Sequence, residues 1–244
     1  MNTQEENTQK NNTQEELNDI WLPHIPKNAG TTIVDNLELH TKYSRYFNWL
    51  RSDDDDFIHI TNNKTQKQIK ASHVNPLEKG MNDWLKILII RNPIDRFISK
   101  FNYFQWEKYK LKKEINIPTL DMYMLIAHIT HLRWLTDIQL RTHNPLVHKF
   151  TIKNVFDIFD YIIDVSNIQK VFMLIEDNFL QKKIKWPSVN TSEENFIEMM
   201  ELKDIVLSNV LLKKDLTEEQ FEVIYQLEDI QKDFEFYNLA KERI

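Results

Sequence analysis

The run Leu85-Lys-Ile-Leu-Ile-Ile90, leading almost directly into Asn92-Pro93, is the feature that most narrows the folds open to this chain. Ile87 to Ile90 are all apolar, with none of the alternation a half-exposed strand would show. A strand buried on both faces belongs to a parallel sheet covered by helices on either side. The next residues carry a helix signature: Asn92 suits the cap, Pro93 the first turn, and Ile94, Phe97, Ile98, Phe101 and Phe104 fall on one stripe.

The same order occurs earlier. Ile20, Trp21, Leu22 and then His24-Ile25 read as a short strand, Pro26 to Gly30 as a tight loop, and Ile33, Val34 and Leu37 as one side of a helix. Weaker strands are expected at Phe57 to Ile60 and at Ile69 to Val74, and a buried strand at Val171 to Ile175. Helical patterning covers Leu120 to Ile163 and Ser192 to Leu239. Strands alternating with helices predict an α/β fold: a P-loop-like three-layer domain with a central, mainly parallel sheet flanked by helices. At 244 residues the chain fits one such domain. Residues 1–17 carry three imperfect NTQ pentads without an apolar position between Met1 and Leu17, and read as a disordered polar tail ahead of a domain at 18–244.

Bulk composition mostly excludes. Lys and Arg total 31 against 37 Asp and Glu, a net charge of −6, so the chain is not built to coat nucleic acid or an anionic membrane. With no cysteine there is no disulfide, thiolate metal site or thiol nucleophile, which suits a reducing compartment. No apolar run reaches the length of a membrane span, and the N-terminus lacks the order of a signal peptide. A cytoplasmic protein is expected. The histidines lack metal-ligand spacing, so no metal site is expected.

Two constellations bear on chemistry. In His24-Ile-Pro-Lys-Asn-Ala-Gly-Thr-Thr32, a loop between strand and helix aims backbone N–H groups at one point, where the helix end favours an anion. Gly30, one of only 2 glycines, permits close approach; Thr31 and Thr32 add hydroxyls and Lys27 a mobile charge. An ordinary strand-helix turn needing one glycine is the other reading, and the loop is not GxxxxGK[ST], since Thr31 follows Gly30. The second constellation runs from Ile89 to Ser99. Arg91 leaves the strand's carboxyl end, where open α/β sheets bind ligands, and Ser99 falls on the polar side of the helix in line with Asp95 and Arg96. An anion between Arg91 and Ser99 is one reading; Arg91 or Arg96 paired with Asp95 at the surface is the other.

Taken together, HIPKNAGTT and IIRNPIDRFISKF resemble the 5′-phosphosulfate and 3′-phosphate motifs of sulfotransferases that use 3′-phosphoadenosine 5′-phosphosulfate (PAPS), with the closest likeness to the carbohydrate group that includes heparan sulfate 2-O-sulfotransferases. The resemblance implies that Lys27 contacts the transferring sulfuryl region, that Asn28, Ala29, Gly30, Thr31 and Thr32 cradle the 5′-phosphate, and that Arg91 and Ser99 bind the 3′-phosphate. Relatives often carry Thr-Gly where this chain has Asn28-Ala29, a change that is tolerable if only Gly30 needs an unusual backbone conformation. His73 stands where 2-O-sulfotransferase-like members carry their proposed base, with His59 its close competitor. Asn190 and Ser192, in Trp186 to Ser192, resemble the segment that closes over the adenosine end, and Asp233 to Tyr237 resembles the last helix.

By this resemblance the chain moves a sulfuryl group from PAPS to an acceptor hydroxyl, of a carbohydrate or another hydroxyl-bearing molecule, without a metal. A magnesium-dependent phosphotransferase and a non-catalytic nucleotide- or glycan-binding module on the same fold are the alternatives. Glu176-Asp177 reads as a strand terminus, and Lys108 to Lys113 as a solvated helix face. His131 and Arg133 resemble a helical His-x-Arg of some bacterial relatives, or form a helix-surface pair. Acceptor identity and oligomeric state are not legible in the sequence.

Overall fold

The computed structural model describes residues 18–23, 25, 28–29, 33, 37, 43–47, 57–62, 64–72, 81–110, 120, 130, 151–152, 154–186 and 212–244, with the backbone alone at 43–47, 57–59, 70–72 and 104–110. Its centre is one six-stranded sheet. The strands are β1 (Ile20–Pro23), β2 (Tyr43–Phe47), β3 (Phe57–Asn62), β4 (Gln68–Ser72), β5 (Leu85–Ile90) and β6 (Tyr161–Asp164), in spatial order β2-β3-β4-β1-β5-β6. The last four in that order are mutually parallel, while β3 runs against both β2 and β4.

Alternation along β5 sets the layers. Ile87 and Ile89 join Ile20 and Leu22 in the core on one face, and Leu88 and Ile90 join Ile25 on the other. The first face is covered by Ile33 and Leu37, both helical, and by α2 (Ile168–Ile175). The second is covered by a 3₁₀ turn (Val155–Ile158) and by the last helix, α4 (Glu228–Lys241). Helix, sheet and helix form the expected three layers. The helix after β5, α1 (Pro93–Lys110), starts as its sequence dictates: Asn92 Oδ1 accepts from the N–H of Ile94 at 3.0 Å. Its stripe of Ile94, Phe97, Ile98 and Phe101 packs on α3 (Glu218–Gln226) and α4 through Ile224 and Ile230. Each fully buried side chain of this kind contributes about 1.5–3 kcal/mol.

Two elements differ from the sequence reading. Val171 to Ile175 is not a strand but the second half of α2, because Ile168, Val171, Phe172 and Ile175 are buried at helical spacing while Met173 is 55% exposed. Five apolar residues alone do not carry a period; the residues before them do. The strand lies earlier, at Tyr161–Asp164, where the stretch read as helical ends, and pairs with β5 in the register Ile87↔Tyr161 to Ile90↔Asp164. β2 is an addition, since YSRYF has no apolar run to mark it. The helical patterning after Ser192 yields, among the described residues, a 3₁₀ turn (Lys213–Asp215), α3 and α4, with extended backbone at Leu227 dividing the two helices.

Glu176 and Asp177 accordingly end no strand. They open a π-helical turn (Glu176–Leu180) after α2, and the buried Glu176 accepts from Ile184 N and Trp186 Nε1, both at 2.9 Å, with Lys183 Nζ at 3.1 Å. Trp186 stacks on Phe172, ring centroids 4.0 Å apart. Burial pushes the Glu176 carboxyl up, but the Ile184 N–H, Lys183 and Trp186 together outweigh it and hold the group below the usual glutamate range. A depressed carboxyl stabilises the fold above its unfolded pKa of about 4.3 and ceases to do so as pH falls through the lower folded value. Glu176→Gln is therefore expected to melt below the wild type at pH 7, with the gap closing in scans between about pH 5 and 3. A gap independent of pH would contradict the assignment.

Candidate functional site

Pro23 and Ser72 are register partners at the ends of β1 and β4, and Ile90 and Asp164 at the ends of β5 and β6. All four strands thus finish at one edge of the sheet. From β1 the chain first builds β2 to β4 on one side and then passes to β5 on the other. The edge above β1 and β5 is therefore the switch point at which open α/β sheets form ligand crevices.

Three backbone hydrogen bonds among the described residues turn the chain after β1 there. Ile25 N donates to Pro23 O at 2.9 Å, Asn28 N to Ile25 O at 3.2 Å, and Ile33 N to Ala29 O at 3.1 Å, which carries the chain into helix. Asn28 is 3% exposed, and its Nδ2 donates to the carbonyl of Ile89 at 2.7 Å. Rotating the amide would set two acceptors face to face, so the orientation is fixed. Its Oδ1 is buried without a hydrogen-bond partner among the described residues.

Ala29 has φ of 66°, in the left-handed region. The expectation that only Gly30 needs an unusual conformation is corrected: position 29 needs one, and a Cβ there costs about 1–2 kcal/mol. Ala29→Gly relieves that cost but gives back part of it through a freer unfolded chain, so a gain of about 0.5–1 kcal/mol, or roughly 2 °C in Tm, is expected by calorimetry. A lower Tm would show that the methyl group's packing against the neighbouring core outweighs the backbone.

Arg91 follows β5 directly, and Ser99 lies on α1; both are half-buried. Spacing alone sets Arg96 on the polar side of α1 beside Asp95, and the structure places it elsewhere. Arg96 is 1% exposed, and its Nη1 donates to Asp233 Oδ2 on α4 at 3.0 Å, while Asp95 pairs with Lys213 at 2.8 Å. Removing one partner of such a buried pair typically costs about 3–5 kcal/mol. The stripe pattern of α1 conceals this, because Arg96 sits between apolar positions and only the partner helix shows which way it points.

Asp164 is a further group that sequence patterning misses, since it ends a strand most of which reads as helical. Buried at the carboxyl end of β6, it accepts from Ser166 N, Ser166 Oγ and Tyr237 Oη, with Lys241 at 3.7 Å. Burial pushes its carboxyl up, but the hydrogen bonds from Tyr237 and Ser166 hold it below the usual aspartate range. The same burial, with the Asp164 bond, pushes the Tyr237 hydroxyl above its ordinary value. Asp164 thus stays charged and locks α4 to the sheet edge next to Arg91.

Lys27, Gly30, Thr31, Thr32, His73, Asn190 and Ser192 lie outside the described residues, as do the polar tail at 1–17, His131, Arg133 and residues 111–113. Of the expected site, Asn28 and the strand end that bears Arg91 are brought into contact. A bond between residues 28 and 89 brings together two motifs far apart in sequence. The profile of the sulfotransferase family matches residues 12–239, nearly the whole chain. The chain belongs to the sulfotransferase family. No curated protein and no solved structure matches it. Membership gives the sulfotransferase its reaction class, transfer of a sulfuryl group to a hydroxyl-bearing acceptor. The switch-point edge of this sulfotransferase is where its loop after β1, its β5 terminus and its last helix meet.

Proposed function

We propose that this sulfotransferase takes the sulfuryl group from PAPS and transfers it to a hydroxyl of a carbohydrate, in the manner of the 2-O-sulfotransferase-like group. The observation that carries the reading is the Asn28 to Ile89 bond, which ties the loop after β1 to the strand end preceding Arg91. The residues present suit such a donor: Ala29 is left-handed and accepts from Ile33 N, so the chain enters a helix there, a helix start favours an anion, and Arg91 follows the strand that Asn28 grips. The unpartnered Asn28 Oδ1 is an acceptor and suits a hydroxyl or ammonium donor, not the phosphate itself.

PAPS supplies the transferable sulfuryl group, leaving adenosine 3′,5′-bisphosphate. Ala29, Gly30, Thr31 and Thr32 would hold the 5′-phosphate, with Asn28, whose N–H and Nδ2 are engaged by Ile25 and Ile89, tying that loop to β5; Arg91 and Ser99 would hold the 3′-phosphate, and Asn190 and Ser192 the adenosine end. Lys27 steadies the charge that builds on the 5′-phosphate as the bond to sulfur lengthens. His73 accepts the acceptor hydroxyl's proton on an imidazole nitrogen. Strand positions support that role: β4 ends at Ser72, the residue before His73 in sequence, and Ser72 is in register with Pro23 at the end of β1. The test is calorimetric titration of the full chain with adenosine 3′,5′-bisphosphate and adenosine 5′-monophosphate. Clear preference for the bisphosphate is expected, and equal affinity would refute the reading.

A further inference from the structure

Asp233, Tyr237 and Lys241 are spaced four apart and form one stripe along α4. The stripe grips two places. Asp233 receives Arg96, on the first turns of α1 between Arg91 and Ser99, and Tyr237 and Lys241 meet Asp164 at the end of β6. Asp164 is in register with Ile90, the residue before Arg91. The last helix therefore holds the segment bearing Arg91 and Ser99 from two sides, while Asn28 holds its strand from a third. None of these gripping groups needs to touch a ligand.

We infer that Asp233 is a positioning residue for recognition of the donor's 3′-phosphate, acting through Arg96; the inference rests on the donor reading above. A guanidinium-to-carboxylate bond is directional and fixes both the rotation of α1 and its place along its axis. Apolar residues of similar volume would hold the two helices together as firmly, but without that direction. A shift of α1 moves Arg91 and Ser99 relative to the loop after β1, and misplacement by about 1 Å suffices to cost ~10²-fold in a positioned site. The stripe thus couples the carboxyl-terminal helix to the selectivity of the site and not only to its stability.

Two variants test this: Asp233→Asn, and the double replacement Arg96→Met with Asp233→Leu, which removes both buried charges and so keeps a folded protein if the single change does not. Each folded variant is titrated with adenosine 3′,5′-bisphosphate and adenosine 5′-monophosphate. The expected result is about tenfold weaker binding of the bisphosphate with the monophosphate within about twofold of wild type, in both variants that fold. A merely structural role moves Tm and leaves both affinities of the folded protein alone, or weakens both alike; either pattern overturns the inference. If wild type itself shows no preference for the bisphosphate, the donor reading fails and the inference with it. Preference kept in the double variant sinks the inference alone.

Discussion

His73→Ala is expected to lose turnover by about 10²- to 10⁴-fold while binding PAPS as the wild type does. The order of strands supports this. β4 lies beside β1 and parallel to it, and its last residue, Ser72, immediately precedes His73 at the edge where the Asn28 loop begins. As a residue type, histidine titrates near pH 6.5, so its imidazole is largely neutral and able to accept a proton at neutral pH. His59 is the internal control. It sits within β3, opposite Lys70, on a strand that runs against β4, so His59→Ala should keep near-normal turnover. Steady-state rates beside titrations of the same preparations decide the matter. Near-normal turnover in His73→Ala, or loss of binding and activity in step, would put the base elsewhere, with a carboxylate such as Glu38 next in line.

Arg91→Ala is expected to weaken adenosine 3′,5′-bisphosphate by roughly 10- to 100-fold, the equivalent of a charge-assisted hydrogen bond of ~1.5–3 kcal/mol. The loss should be selective. Adenosine 5′-monophosphate lacks the 3′-phosphate that Arg91 is proposed to bind, so its affinity should hardly change. Arg91 is suited to this discrimination because β5 ends one residue before it, and because Asn28 fixes the carbonyl of Ile89 within the same strand. An equal loss for both ligands would mean that Arg91 supports the fold of the edge and does not read the 3′-phosphate.

Much of this architecture is legible in the sequence where a local signal coincides with the tertiary one. The Leu85–Ile90 strand and the Asn92 cap are of that kind: an unbroken apolar run and a capping side chain mean the same thing in any context. Val171 to Ile175 is not, because five apolar residues fit a strand as well as a helix until Ile168 and the exposed Met173 set the period. Tyr161–Asp164 is hidden for the converse reason, being a short edge strand whose identity rests on pairing with β5. In the site, the motifs show which loops matter but not how they join. The Asn28 bond, the left-handed Ala29 and the burial of Arg96 against Asp233 are facts of packing between segments, and no spacing within one segment encodes them.

Asn28-Ala29 is the sharpest instance. As a bare departure from Thr-Gly, the dipeptide reads as harmless; in the fold one residue joins the two motifs and the other carries the backbone strain.

Sulfuryl transfer from PAPS stands or falls on mass spectrometry of a reaction containing the full chain, PAPS and a mixed glycan and metabolite extract. A carbohydrate product heavier by one sulfuryl group is expected, formed in step with adenosine 3′,5′-bisphosphate and lost with His73→Ala. Bound PAPS without any sulfated product, or phosphorylated product formed only with magnesium and ATP, would contradict the transfer.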